Sequence, residues 1–294
     1  MNRITIKAYA KINLFLDITG RRENGYHELD SVMMSVGIAD ILTFEKKATA
    51  GFELICGKAG FPLDESNIIC KAAKALLEKH SPHDKSGLRI TVEKNIPSQA
   101  GMGGGSADGA AALIAVNELY ELGLDENELI AVGAKIGADV PFCIKGGCCI
   151  CRGIGEKLTE IAFDTPLPMV VIKPDAAIST PAAYKAYDGL SAPIHKEIAD
   201  IVSGIERNDW QIINSSLFNA FEQVANIDEI ESAKADLKQS GAKGVLMTGS
   251  GSAVFGLYNS MENAQKAYDS IKETHKEIYI CTSKTKGTEI ISEG

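Results

Sequence analysis

The chain opens on a two-residue alternation. Ile4, Ile6 and Ala8 share one parity, and Ile12, Leu14, Leu16 and Ile18 carry it on, while Lys7, Lys11, Asn13 and Asp17 hold the other. Successive side chains of a strand point to opposite faces, so a strand over residues 10–18 sets Lys11 and Asn13 on one face. Further on the period lengthens. Ile69, Ala72, Ala73, Leu76 and Leu77 follow the i, i+3, i+4, i+7, i+8 spacing of an amphipathic helix within "SNIICKAAKALLEKH". "GLRITVEKNIP" returns to alternation and predicts a strand, with Leu88, Ile90 and Val92 set against Arg89, Thr91 and Glu93. A glycine-rich stretch then leads into an alanine-rich helix from about Ser106 to Leu122, stopped by Gly123. "ENELIAVGAKIG" predicts another helix, ending at "GADVP".

Prolines bracket an apolar strand in "FDTPLPMVVIKPD", where the composition changes. The domain boundary is placed there, giving residues 1–163 and 164–294. Helices are predicted around Ile194–Ile205, Trp210–Phe221 and Glu229–Gln239. A second glycine-rich turn, "TGSGSAVFGLY", a helix from Met261 to His275 and the strand "EIYICTSKT" follow. Strands and helices mixed with short connections imply an α+β or α/β protein.

A length of 294 residues and a charged fraction of 23% suit an ordinary globular chain of two domains. No run approaches the ~18 apolar residues of a membrane span, and Lys7, Lys11 and Asp17 interrupt any signal-like apolar start. Seven cysteines, an odd number without an export signal, favour reduced thiols and a cytoplasmic location. The "CCIC" run (Cys148, Cys149, Cys151) has no nearby histidine and no second pair at ligand spacing, so packing on a strand is its reading. A net charge of −9 with no basic stripe argues against nucleic acid as partner. It leaves room for a small phosphorylated ligand held by local cations.

"PSQAGMGGGSADGAAAL" provides the clearest chemistry. Strand, glycine turn and helix start together make a phosphate-binding device, because bare backbone approaches an anion closely and helix-start N–H groups point at it. Ser106 can cap the helix or donate to a metal-bound phosphate. No lysine follows the glycines as a Walker loop requires, and Ser106 stands where a dinucleotide fingerprint needs its last glycine. "PSQAGMGGGSADGAA" resembles the central motif of the GHMP kinase superfamily, and "TGSGSAVFGL" resembles its C-terminal glycine motif. "AKINLFLDITGRRENGYHEL", "GADVPF" and "ISTPAAYKAY" resemble segments of one branch, the kinases of 4-diphosphocytidyl-2-C-methyl-D-erythritol.

The resemblance implies a two-domain α+β fold: a ribosomal protein S5 domain 2-like N-terminal domain, a ferredoxin-like C-terminal domain, and an active site between them. It implies an ATP-dependent kinase with Mg2+, acting on the 2-hydroxyl of that cytidylyl alcohol in the non-mevalonate route to isoprenoids, as a monomer or homodimer. Asp139 matches the catalytic aspartate and Lys11 the catalytic lysine. Pro97, Ala100, Gly101, Met102, Gly103, Gly104, Gly105, Ser106 and Ala107 would cradle ATP, with Asn67 and Lys94 beside it. Asn13, Thr180, Gly249 and Gly251 would bind substrate. Tyr26, His27 and Tyr184 would hold its cytosine, the base stacked on the aromatic rings and its polar edge read by the histidine. The magnesium ligands stay open, with Ser106 and Asp108 as candidates. Pro141 is expected to hold Val140 extended, presenting Asp139 from a stiff turn. The alternatives are another GHMP kinase, of homoserine or mevalonate type, and a non-catalytic nucleotide-binding protein on the same fold. Tyr26, His27 and Tyr184 oppose the first, and the retained pair of Lys11 and Asp139 opposes the second.

Overall fold

In the computed structural model, which describes residues 2–81, 83, 86–163 and 165–294, the opening alternation becomes one long strand. The expected domain boundary abuts residue 164, which lies outside the described residues. β1 (Arg3–Arg21) runs antiparallel to β2 (His27–Lys47), and its register shifts between Tyr9 and Ala10, Asn13 and Phe15, and Ile18 and Gly20. β3 (Phe52–Cys56), α1 (Ile68–His80), β4 (Gly87–Glu93), α2 (Gly104–Leu119), α3 (Glu126–Gly133), α4 (Val140–Lys145), β5 (Cys148–Gly153) and β6 (Lys157–Glu160) follow. β4 and β5 pair antiparallel with β2, β3 joins β4 in parallel, and β6 joins β5.

The chain continues through β7 (Pro168–Ile172), α5 (Thr180–Tyr187), α6 (Ile198–Glu206), α7 (Trp210–Ser216) and β8 (Phe218–Asn219). After a 3-10 turn (Ala220–Gln223) come α8 (Asp228–Gln239), β9 (Gly244–Met247), β10 (Val254–Leu257), α9 (Met261–Ile271), β11 (Ile278–Lys284) and β12 (Thr288–Glu293). β11, β7, β10 and β9 pair antiparallel in that order, with α8 packed on β9 and β10 and α9 on β7 and β11. That strand order is the ferredoxin-like arrangement. β11 also pairs with β2, joining the two layers, while β8 and β12 both pair with β1.

These returns explain the burial of β1. Its apolar parity is buried as expected, but the polar parity is buried as well: Lys11 is 4% exposed, Asn13 0% and Asp17 2%. A face that carries an ammonium, an amide and a carboxylate is covered only where polar partners wait for it.

Several elements differ from the sequence expectation. The helix expected to Phe221 stops at Ser216, because Phe218 and Asn219 pair in parallel with Phe15 and Leu16. The helix expected from Ile194 starts at Ile198, and the one expected to His275 ends at Ile271. α2 starts at Gly104, ahead of Ser106, and ends at Leu119. Phe15 is fully buried, its ring centroid 5.6 Å from that of Phe218. Phe15→Ala is therefore expected to cost about 3–5 kcal/mol of stability by urea unfolding; a loss under about 1 kcal/mol would show that this contact is not part of the core.

Candidate active site

Lys11 stands in the middle of β1 and sends its ammonium to Asn13 Oδ1 at 2.8 Å and to Asp139 Oδ2 at 3.4 Å. A buried ammonium is tolerated only with partners, and these two supply an amide oxygen and a charge. Asn13 is itself pinned. Its N–H donates to Thr248 Oγ1 at 2.9 Å, and its Nδ2 donates to Ser31 Oγ at 2.8 Å. Asp139 occupies the cap position of α4, yet its side chain makes no capping hydrogen bond, which leaves the carboxylate for Lys11 and the cavity beyond. Val140 is helical rather than extended as expected: Pro141 sits in the first turn, where its missing N–H removes no helix hydrogen bond.

The two glycine motifs interlock. Gly101 has φ +71°, and a Cβ there would strike the Thr248 carbonyl oxygen; Gly103 has φ +70°, and a Cβ there would come within 3.0 Å of the Lys11 stem. Ser252 N–H donates to Gln99 O, Ala253 N–H to Ala100 O, and Lys11 N–H to Met102 O. Gly103 caps α2 in the left-handed conformation, so Ser106 does not cap it. The Ser106 hydroxyl makes no hydrogen bond among the described residues and lines the cavity. Left-handed glycines followed by a helix start turn successive N–H groups inward, as an anion requires.

Lys94 leaves β4 beside this loop and pairs with Asp40 and Asp108, the latter at 2.7 Å. Asp40 also accepts the N–H groups of Asn95 and Ile96 through its other oxygen. Burial opposes the Lys94 charge, but Asp108 and Asp40 outweigh it and hold the ammonium above its usual range. Burial pushes the Asp108 carboxyl well above the usual carboxylate range, with Lys94 pulling it back. Among the described residues Asp108 Oδ1 is buried without a hydrogen-bond partner.

At the far end of the cleft the His27 and Tyr184 rings stack at 4.4 Å and 14°, and Phe221 meets Tyr184 edge-on. Tyr26, 59% exposed, stands at the rim. Burial, with the Asp139 charge adding, pushes the Tyr184 hydroxyl up to about 12. His27 Nε2 lies 2.7 Å from Asp188 Oδ1, and Arg21 Nη1 lies 3.2 Å from Asp188 Oδ2. Thr180 and Ser250 share a hydrogen bond of 2.9 Å across the cleft.

One cavity of about 1140 Å³ takes in every sequence-predicted site residue except Ala107, which is buried beneath the loop. Sequence reading missed Asp40, Asp188, Thr248 and Asn219. Asn219 donates to the carbonyl oxygens of Met247 and Gly249 and so holds the second glycine turn. Thr248 opens that turn's motif, and Asp188 lies one helical turn after Tyr184, the only local signals for either. The cysteines of "CCIC" are free and buried, and burial pushes Cys149 up to about 12, which fits packing rather than reactivity.

Lys94→Met removes the one cation from a buried pair of carboxylates and is expected to cost about 3–5 kcal/mol at pH 8. A carboxyl whose folded pKa is raised binds more protons folded than unfolded. Its contribution therefore falls as pH rises from the unfolded value, near 3.9, through the folded one. Without Lys94 to pull it back the Asp108 carboxyl rises further, so the variant gains more from protonation and its deficit shrinks between pH 8 and pH 5 by denaturant unfolding; a pH-independent deficit would contradict the hold of Lys94 on Asp108.

Comparisons with known proteins bear on this cleft. Residues 67–147 match the model of the GHMP kinases N terminal domain, and residues 201–277 that of GHMP kinases C terminal. A 4-diphosphocytidyl-2-C-methyl-D-erythritol kinase of Clostridium botulinum (strain Eklund 17B / Type B) is 40% identical over 279 residues, 94% of this chain and 99% of that protein. The crystal structure of a 4-(cytidine 5'-diphospho)-2C-methyl-D-erythritol kinase superposes with a TM-score of 0.81 at 33% identity, over 95% of this chain and 99% of the other. A homoserine kinase from Cytophaga hutchinsonii reaches 0.79 at 21% identity, over 99% of this chain and 98% of that one, which speaks for the fold alone. With the lysine–aspartate pair, the glycine cradle and this similarity along nearly its whole length, the chain belongs to the 4-diphosphocytidyl-2-C-methyl-D-erythritol kinase family of the GHMP kinases.

Proposed function

We propose that this protein is an ATP-dependent kinase that phosphorylates the 2-hydroxyl of 4-diphosphocytidyl-2-C-methyl-D-erythritol, in the non-mevalonate route to isoprenoid precursors. One observation carries the reading: the Lys11–Asp139 pair, 3.4 Å apart, shares a cavity with the glycine loop on one side and the His27–Tyr184 stack on the other. The volume, about 1140 Å³, accommodates a nucleotide and a second large ligand.

Phosphoryl transfer asks the protein for positioning and charge stabilisation rather than covalent chemistry. The backbone N–H groups of residues 101–106, which line the cavity, anchor the phosphates of the donor. Asp139 accepts or orients the proton of the attacking hydroxyl. Lys11, 3.4 Å from Asp139 Oδ2, stabilises the charge that develops on the transferred group. Asn13 fixes the ammonium and offers its amide to the substrate, with Thr180, Gly249 and Gly251 at the substrate phosphates. Tyr26, His27 and Tyr184 take the cytosine.

Among the described residues no three His, Cys, Asp or Glu side chains form a metal cluster. The free Ser106 hydroxyl and the unpartnered Asp108 Oδ1 fit the other way in which magnesium is held, by one or two protein oxygens plus phosphates and water. A magnesium ion held by these residues would supply positive charge against the phosphates. Among the described residues no helix is long and apolar enough to cross a membrane, and all seven cysteines are free, which supports a cytoplasmic enzyme.

The test is ATP consumption with the cytidylyl alcohol and magnesium, run beside homoserine and mevalonate, with phosphorus NMR of the product. A new phosphomonoester from the cytidylyl substrate alone is expected, and turnover of either other alcohol instead would overturn the substrate assignment. Asp139→Asn should lower kcat by about 10²–10⁴-fold while the Kd for ATP stays within about threefold. Parallel loss of ATP affinity would move the carboxylate to the nucleotide site.

A further inference from the structure

We propose that Asp188 is a positioning residue that fixes the tautomer of His27 and thereby makes the cleft selective for a nucleobase bearing an exocyclic amine. The inference rests on the cytidylyl reading and extends it to a residue outside the motifs that carry the family resemblance.

Asp188 ends α5, and its two oxygens are spoken for separately. Oδ1 lies 2.7 Å from His27 Nε2 and Oδ2 lies 3.2 Å from Arg21 Nη1. Arg21 and His27 are register partners across the β1–β2 hairpin, so strand pairing sets both groups in front of one carboxylate. An ionised carboxylate only accepts hydrogen bonds, which means that Nε2 carries the proton it shares. In the neutral ring Nδ1 then holds a lone pair.

The ring is also clamped. Tyr184, four residues before Asp188 and hence on the same side of α5, stacks on the imidazole at 4.4 Å and 14°. One helix thus holds the edge and the face of His27, which is 8% exposed. Nδ1 makes no hydrogen bond among the described residues, and His27 lines the cavity. The free position of a ring so held is an acceptor. Cytosine offers a donor at its 4-amino group where uracil offers a carbonyl oxygen, so one base is bonded and the other repelled.

Asp188→Asn inverts this logic without changing shape. Arg21 can only donate, so the new amide oxygen turns to Arg21 and the NH2 to His27. Nε2 must then accept, the ring proton moves to Nδ1, and the group facing the base becomes a donor. The experiment measures kcat and KM of the full-length enzyme with the cytidylyl substrate and its uridylyl analogue, for wild type, D188N and D188E. Nitrogen NMR of 15N-histidine-labelled protein, with His27 assigned by H27Q, reads the tautomer directly.

Wild type is expected to favour the cytidylyl substrate by about 10²-fold in kcat/KM. D188N should raise the cytidylyl KM about tenfold or more, leave kcat within about threefold and narrow the ratio between bases. D188E should recover most of the ratio. His27 should carry its proton on Nε2 in wild type and on Nδ1 in D188N. An unchanged base ratio in D188N, an equal kcat loss for both substrates, or an Nδ1–H tautomer in wild type would each overturn the proposal. If D188N fails to fold, the wild-type tautomer decides. A wild type that turns over neither substrate, yet shows the Nε2–H tautomer, would refute the functional reading and leave the tautomer assignment standing.

Discussion

Burying the ammonium of Lys11 is the requirement around which the cleft is arranged. At 4% exposure the charge has left most of its water behind, and only fixed oxygens can replace it. Asp139 supplies the counter-charge and Asn13 the neutral oxygen. Asn13 is held for this by its backbone N–H, which donates to Thr248, and by one Nδ2 hydrogen, which donates to Ser31. Thr248 belongs to the second glycine turn and Asp139 to the start of α4, so one side chain on β1 fixes elements separated widely in the chain. The same arrangement suits the proposed chemistry, since a partnered, water-poor lysine beside a carboxylate needs little reorganisation when charge moves onto a transferred phosphoryl group.

The glycine loops add a steric constraint to this electrostatic one. Gly101 faces the Thr248 carbonyl, which leaves no room for a side chain, and Gly103, at φ +70°, faces the Lys11 stem at 3.0 Å. Three backbone hydrogen bonds tie the first loop to β1 and to the residues after the second turn. Asn219 holds that turn from behind through two carbonyl oxygens. The proposed nucleotide cradle and catalytic pair are therefore one connected unit, whereas the proposed base end of the cleft is built from α5 and the β1–β2 hairpin. The Asp188 bridge, the His27–Tyr184 stack and the Tyr187 hydroxyl donating to Ile18 O join those two.

Much of this was legible in the chain where local pattern and local structure agree. The shared parity of Lys11 and Asn13 survives in β1 as a shared polar face, and the glycine run and "GADVPF" both open helices at the cavity. Non-local features were not legible. Asp40 meets Lys94 from the middle of β2, and nothing near either residue announces the pair. β2 itself escaped prediction because its middle, residues 31–36, is buried on both faces and so carries no alternation of apolar and polar positions. Phe218 and Asn219 read as helix and were drawn into pairing with β1 by tertiary contact. Ser106 looked like a cap, but Gly103 takes that position because its backbone can turn left-handed.

The proposed roles make the transfer direct and in-line: Lys11 and Asp139 act on the hydroxyl and the moving phosphoryl group, and no side chain becomes phosphorylated. The stereochemical course at phosphorus tests this most directly, using ATP made chiral at the γ-phosphorus with oxygen isotopes and the cytidylyl alcohol as acceptor. A single in-line displacement inverts the configuration, and inversion is the predicted result. Net retention would require two displacements through a phosphorylated enzyme, and would contradict a transfer in which Lys11 and Asp139 only position groups and stabilise charge.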